Sequence, residues 1–190
     1  MHGETVAACL RERQRPDRPG PILFDAGAVQ RRVAELAEEI DEAFKNRGPP
    51  LVVGVLKGAA FFTSDLTRRL PGADLDWVWL STYGRSTERS EVRLVKDLDQ
   101  EVRDRHVLLV DDIFDSGTTL GWLHAHVAGR SPLSIDICTL LCKSNATDGA
   151  PRPRFVGFTV DVDWVAGYGI DYAEQHRGWA DIHAVDISTP

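Results

Sequence analysis

The chain has 190 residues, 43% hydrophobic and 27% charged, a composition suited to a globular domain with its own core. No apolar run approaches the roughly 20 residues that a bilayer-crossing helix needs, and the Arg- and Pro-rich beginning has no apolar core of signal-peptide type. A formal net charge of −7 argues against a nucleic-acid surface, yet leaves anionic small molecules open, because backbone amides and a metal ion can reverse a local field. Cys9, Cys138 and Cys142 lack metal-ligand spacing; they suggest a reduced, cytoplasmic setting, with the last two as small apolar residues of a strand.

In chain order, residues 1–24 read as a flexible lead-in and 25–190 as one domain. Val29, Val33, Leu36, Ile40 and Phe44 recur every three or four residues, which predicts an amphipathic helix stopped at Gly48-Pro49-Pro50. The apolar run 51–56 predicts a buried parallel strand, 58–70 a helix, and the alternating 74–82 a second strand. Residues 83–92 are polar and lack core positions, so they read as a solvated loop or as a mobile lid over a site. Segments 92–98 and 106–110 are strand-like, 111–117 a turn, Thr118 to Gly129 a helix and 134–141 a strand. Short strands with glycine-rich turns follow at 155–160, 164–169 and 182–185. The alternation of strand and helix implies an α/β fold with a largely parallel central sheet flanked by helices.

The most specific feature is the passage from 106 to 127. An apolar strand meets Asp111 and Asp112, then Asp115-Ser116-Gly117-Thr118-Thr119, then a helix. In a parallel sheet the carboxyl end of a strand opens into the ligand crevice. A Ser-Gly-Thr-Thr turn at a helix start aims backbone N–H groups, two kinds of hydroxyl and the positive end of the dipole at one point, where a phosphate monoester fits. The acidic pair would repel a phosphate, and suits instead ribose hydroxyls and a divalent cation.

This passage resembles the phosphoribosyl-pyrophosphate (PRPP) signature of the type I phosphoribosyltransferases. Three further segments resemble the hypoxanthine–guanine phosphoribosyltransferases within them. They are VGVLKGAAFF (53–62), STYG (81–84) and the run from LLCKS to EQHR (140–177). Lysine is scarce here: only Lys45, Lys57, Lys96 and Lys143 occur, and two of these four fall where the family uses lysine.

The resemblance implies the type I fold, including a small hood built from terminal segments. It implies that Ser116, Gly117, Thr118 and Thr119, with Asp115, hold the 5′-phosphate. Asp111 and Asp112 would hold the ribose diol, with Asp111 a shortened replacement for the family's usual glutamate. Leu56, Lys57 and Gly58, aided by the Ala59 amide and Arg177, would bind pyrophosphate. Lys143, Trp164, Val165 and Asp171 would form the purine side, with Asp115 handling a purine proton. Ser81, Thr82 and Tyr83 correspond to the family's flexible catalytic loop, and Asp111, Asp112 and Asp171 to its Mg2+ ligands. The implied reaction joins a 6-oxopurine to PRPP, giving IMP or GMP and pyrophosphate, in a homodimer or homotetramer. Two alternatives fit the same residues: a relative acting on a modified base such as a 7-deazapurine, and a non-catalytic nucleotide-binding regulator.

Overall fold

Residues 20–83, 91–146 and 151–185 are described by a computed structural model of the chain. Ile22–Phe24 forms a short strand, β1, and Asp25 behind it starts the first helix, α1 (Ala26–Phe44). The Asp25 carboxylate accepts the Ala28 N–H at 2.7 Å, satisfying one of the donors that a helix start leaves open. The expected apolar stripe is the buried face of α1: Val29, Val33, Leu36, Ala37, Ile40 and Phe44. Burying one such Leu or Ile side chain contributes about 1.5–3 kcal/mol.

The remaining elements are β2 (Leu51–Leu56), α2 (Ala60–Thr67), β3 (Asp74–Tyr83), β4 (Glu91–Lys96) and β5 (His106–Phe114), then α3 (Thr118–Ala128), β6 (Ser134–Lys143), β7 (Phe155–Val160), β8 (Val165–Ala166) and β9 (Ile182–Ala184). Six strands make the main sheet in the order β4-β3-β2-β5-β6-β7, in which only β3 and β4 pair antiparallel. Strand alternation sorts the core onto two faces. Val52, Leu108 and Val110 pack with α1 and α2, whereas Leu51, Val53, Val107 and Leu109 pack with Leu120, Leu123 and Val127 of α3. β1, β9 and β8 form a separate antiparallel sheet from the two ends of the domain, the expected hood. Phe24 stacks on Phe158 at 3.9 Å and ties it to the main sheet. Among the described residues no helix is long and apolar enough to cross a membrane.

Several expected boundaries move. The lead-in is shorter than 1–24, because Ile22 and Phe24 pair with β9; residues 1–19 lie outside the described residues. The expected turn at 111–117 is confined to its end: β5 continues to Phe114, with Ile113 opposite Leu141 and Phe114 opposite Cys142. Correspondingly β6 reaches Lys143. The strand expected at 74–82 runs on to Tyr83, so Ser81, Thr82 and Tyr83, which the resemblance places on a flexible loop, are in β3: Ser81 pairs with Arg93, Thr82 with Val92 and Tyr83 with Glu91. The choice between a plain loop and a lid falls on 84–90, outside the described residues. In the tail, only Val165 and Ala166 of 164–169 are strand; the glycines beyond turn the chain.

The connection from β4 to β5 fixes where α3 points. Buried Asp76 accepts the Asp99 and Gln100 N–H groups at 2.8 Å each. Asp97 receives Arg130 from the end of α3, and His126 Nε2 lies 3.0 Å from it. Burial alone would raise the Asp97 carboxyl, but hydrogen bonds from Arg130, His126 and the Leu98 N–H, with the Arg130 charge, pull it down to about 2. The folded protein therefore holds fewer protons at this site than the unfolded chain, so the stabilisation is complete above about pH 4 and lost as pH falls towards 2. Denaturant titrations of wild type and Asp97→Asn should show a stability gap at neutral pH that closes below about pH 4. A gap that stays constant down to pH 3 would remove Asp97 from the acid response.

Candidate active site

The chain order reverses between β2 and β5, which are neighbours although β3 and β4 lie between them in sequence. Their carboxyl ends open side by side, where the crevice of a parallel sheet forms. A cavity of about 540 Å³ lies there, lined by the Leu56–Gly58 turn, the stretch from Asp111 to Leu120, and Asp171, Glu174 and Arg177. Trp79 and Ser81 of β3 complete the wall, and the Ser81 hydroxyl is buried with no hydrogen-bond partner among the described residues.

Two helices begin at this cavity and neither caps itself. The residue before α3 is Gly117, in the left-handed conformation and without a side chain to offer; the residue before α2 is Ala59. Neither helix has an acidic residue in its first turn. The Thr118 N–H is taken by Ser116 Oγ at 3.4 Å and the Ala60 N–H by the Lys57 carbonyl at 3.1 Å; the positive dipole ends of both helices still face an anion there, with no acidic cap such as Asp25 gives α1. The Ala59 N–H is an exception to the expected diphosphate cradle, since the Val55 carbonyl takes it at 3.3 Å. The Leu56–Lys57 peptide is cis.

Facing these helix starts are two adjacent carboxylates. Asp111 is buried, and its Oδ1 accepts the Asp112 N–H at 3.0 Å; Asp112 Oδ1 accepts the Ile113 N–H at 2.8 Å. Neither carboxylate forms a salt bridge among the described residues, and burial pushes both upward, Asp111 further because of the Asp112 charge. A hard cation with oxygen ligands fits such a pair. The backbone at Gly58 allows it: a Cβ there would lie 1.7 Å from Asp112 Oδ2. Asp115 projects from the turn that follows, and its Oδ2 lies 3.0 Å from Lys143 Nζ. Lys143 also donates to the Asp163 carbonyl at 3.0 Å, next to Trp164 and Val165.

The C-terminal segment closes the other side by seating its backbone on the Lys57–Gly58 turn. At Gly169, φ is +100° and a Cβ would lie 2.4 Å from the Gly58 carbonyl oxygen, so a side chain there is excluded twice. Tyr168 holds this segment down through a 2.7 Å bond to Asp65, which also receives Gln30. Burial pushes the Asp65 carboxyl up, but the bonds from Tyr168, Gln30 and Arg68 outweigh it and the net shift is downward. Arg177 then reaches into the cavity, bonded to the Gly169 carbonyl at 2.9 Å and to Asp171 at 2.6 Å. Glu174 Oε2 lies 3.1 Å from Lys57 Nζ and 3.5 Å from Arg177 Nη2.

The expected residues divide into two groups. Leu56, Lys57, Gly58, Asp111, Asp112, Asp115, Ser116, Gly117, Thr118, Thr119, Asp171 and Arg177 all line the one cavity. Lys143, Trp164 and Val165 do not; they adjoin it on the far side of Asp115. Asp171, expected on the purine side, is instead with Arg177. Nor do Asp111, Asp112 and Asp171 form one cage: among the described residues no group of three or more His, Cys, Asp and Glu side chains could hold a metal ion. Magnesium commonly takes one or two carboxylates and completes its shell with substrate phosphate and water. The sequence reading passed over Trp79, whose ring lies 5.9 Å from Lys57 Nζ, and Glu174. Nothing local marks Glu174, because its partner Lys57 lies 117 residues away in the chain.

The family model for the phosphoribosyl transferase domain matches residues 22–173. The chain belongs to this family. Within it, the hypoxanthine-guanine phosphoribosyltransferase of Mycobacterium tuberculosis is 39% identical over 172 residues, 87% of this chain and 85% of the relative. The hypoxanthine phosphoribosyltransferase of Escherichia coli is 38% identical over 160 residues, 82% of this chain and 89% of the relative. A crystal structure of a hypoxanthine-guanine phosphoribosyltransferase from Bacillus anthracis superposes with a TM-score of 0.84 at 34% identity, covering 89% of this chain and all of that one. This phosphoribosyltransferase accordingly has the type I fold, and its relatives are purine salvage enzymes.

Gly58→Ala should test how much depends on the fit between the turn and Asp112. The added methyl must displace the Asp112 carboxylate, and a displacement near 1 Å can cost roughly 10²-fold in rate. Phosphoribosyl transfer should fall by about that factor while circular dichroism stays unchanged. Wild-type kcat/KM would show that Asp112 moves without consequence.

Proposed function

We propose that this phosphoribosyltransferase moves the 5-phosphoribosyl group of PRPP to N9 of hypoxanthine or guanine, giving IMP or GMP and pyrophosphate. The observation that carries this reading is the convergence, in one cavity, of two uncapped helix starts, the aspartate pair and the cations Lys57 and Arg177. A sugar bearing phosphate at one end and diphosphate at the other needs two anion sites with a diol site between them. The turn 115–119 suits the monophosphate, Leu56–Gly58 with Arg177 suits the diphosphate, and Asp111 with Asp112 lies between to accept ribose hydroxyls. The base then lies beyond Asp115, against Lys143 and the Val165 backbone. Trp164, 51% exposed and in T-shaped contact with Tyr172 at 6.1 Å, would stack on the base.

As the bond from C1 to pyrophosphate loosens, positive charge grows on the ribose and negative charge on the departing group. Lys57, Arg177 and the α2 start oppose the second, while Asp111, Asp112 and Asp115 oppose the first. Magnesium, held by Asp111, Asp112 or Asp171 together with substrate oxygens, would neutralise charge on the leaving diphosphate. Anchoring the distant 5′-phosphate holds the sugar in position, so binding energy remote from C1 supports orientation at C1. Asp115, bridging the phosphate turn and Lys143, is placed to take or relay a proton from the purine imidazole.

If Asp115 handles that proton, Asp115→Asn should lower kcat by about 10²–10⁴-fold with the melting temperature little changed. Full activity, or loss of the fold, would count against the role. Lys143 decides the base. An ammonium group only donates, so a 6-oxo group gains a charge-assisted bond of about 1.5–3 kcal/mol, while the amino group of adenine leaves two donors unpaired. Such a mismatch separates substrates by as much as 10⁴-fold or so. Comparing kcat/KM for hypoxanthine, guanine and adenine should show adenine essentially excluded, and Lys143→Gln should narrow the gap by losing the 6-oxopurines. Adenine turnover equal to that of hypoxanthine would overturn the assignment of Lys143.

A further inference from the structure

Building on the reading of Lys57 and Arg177 as the cations for pyrophosphate, we propose that Glu174 is a positioning residue that stands in for the diphosphate. Its carboxylate holds both cations while the diphosphate site is empty and gives them up when a diphosphate binds. One oxygen does this, lying 3.1 Å from Lys57 Nζ and 3.5 Å from Arg177 Nη2. A phosphoryl oxygen placed between the two cations would make the same pair of contacts. The two acidic groups around Arg177 thereby have different tasks. Asp171 pairs with Arg177 alone, at 2.6 Å, whereas Glu174 links Arg177 to a turn 117 residues away in the chain.

The Glu174 side chain is 63% exposed, so charge rather than packing keeps it there. Its backbone, in contrast, is set with care. Tyr172 and Gln175 exchange N–H bonds of 3.1 and 3.0 Å across a tight turn, and both residues between them, Ala173 and Glu174, have positive φ, at 51° and 63°. That conformation disfavours residues with a Cβ and persists where the surroundings over-determine it. Here the Glu174 N–H is bonded to Asp171 Oδ2 at 2.8 Å, which aims the tip of the turn back at the cavity. Seating of Gly169 on Gly58 brings the whole turn within reach of Lys57.

An exposed ion pair is weak. The contact therefore yields to a diphosphate carrying several charges, yet keeps the two cations oriented when none is present. On the return path the same carboxylate competes for the cations and hastens pyrophosphate release.

The test is calorimetric titration of inorganic pyrophosphate, in magnesium buffer, into wild type, Glu174→Gln, Glu174→Asp and the double variant Lys57→Gln/Arg177→Gln. Glu174→Gln keeps the length of the side chain and the conformation of the turn but removes the competing charge. It should bind pyrophosphate about 2- to 5-fold more tightly, the worth of one exposed ion pair, with correspondingly slower dissociation in stopped flow. Glu174→Asp, with its charge withdrawn by one methylene, should fall between. A purely structural role predicts the opposite sign, because a loosened turn would bind more weakly. Equal or weaker binding by Glu174→Gln, with wild type binding normally, overturns the proposal alone. Wild-type affinity in the double variant, or no binding by wild type, overturns the pyrophosphate assignment and this proposal with it.

Discussion

Asp111 and Asp112 leave the end of β5 as neighbouring carboxylates in a partly dry cavity, and neither has a salt-bridge partner among the described residues. Carboxylates so placed are expensive to ionise together, because burial penalises both and the Asp112 charge adds to the cost of ionising Asp111. The architecture around them can be read as an answer to that constraint. Two helices start there without caps, so their positive ends face the same space. Lys57 and Arg177 enter from distant parts of the chain, and the expected magnesium would complete the balance. A substrate with a cationic sugar in its transition state and anionic groups at both ends suits this field.

The opposed charges are brought together by backbone rather than by side chains. Gly58 lets Asp112 lie against the turn after β2, and Gly169 lets the C-terminal segment lie on that same turn. Both contacts are closer than a Cβ permits, so segments 54 and 111 residues apart in the chain behave as one surface. The Tyr168–Asp65 bond clamps the arrangement to α2, and the Asp97 contacts with α3 steady the opposite wall. Charged groups supplied by separate segments thereby share one frame, which electrostatic preorganisation requires.

Much of this was legible in the sequence. The stripe from Val29 to Phe44 and the run 51–56 have periods that belong to a helix and a buried strand, and both elements are where those periods predict. The Asp-Asp and Ser-Gly-Thr-Thr run marked the turn that lines the cavity at the start of α3, because the residue types carry their chemistry locally. The misreadings have physical causes too. Two aspartates disguised the continuation of β5, since acidic residues are poor strand formers and only pairing with β6 holds them extended. The alternation of 74–82 already placed Ser81 and Thr82 in a strand; it was the family resemblance that put 81–83 on a loop, and pairing with β4 holds all three extended.

The sequence by itself determined the α/β class, the position of the 115–119 turn at a helix start and the candidates for each chemical role, because periodicity, turn chemistry and motif spacing are properties of neighbouring residues. Only the tertiary structure decided which charges meet. It set Asp115 against Lys143, separated Lys143, Trp164 and Val165 from the main cavity, moved Asp171 to the side of Arg177 and brought Glu174 to Lys57. The physical reason is that an ion pair acts over a few ångströms, whereas its partners here are separated by as many as 117 residues of chain. Sheet order and the close seating of two glycines span that separation, and neither leaves a periodic trace in the sequence.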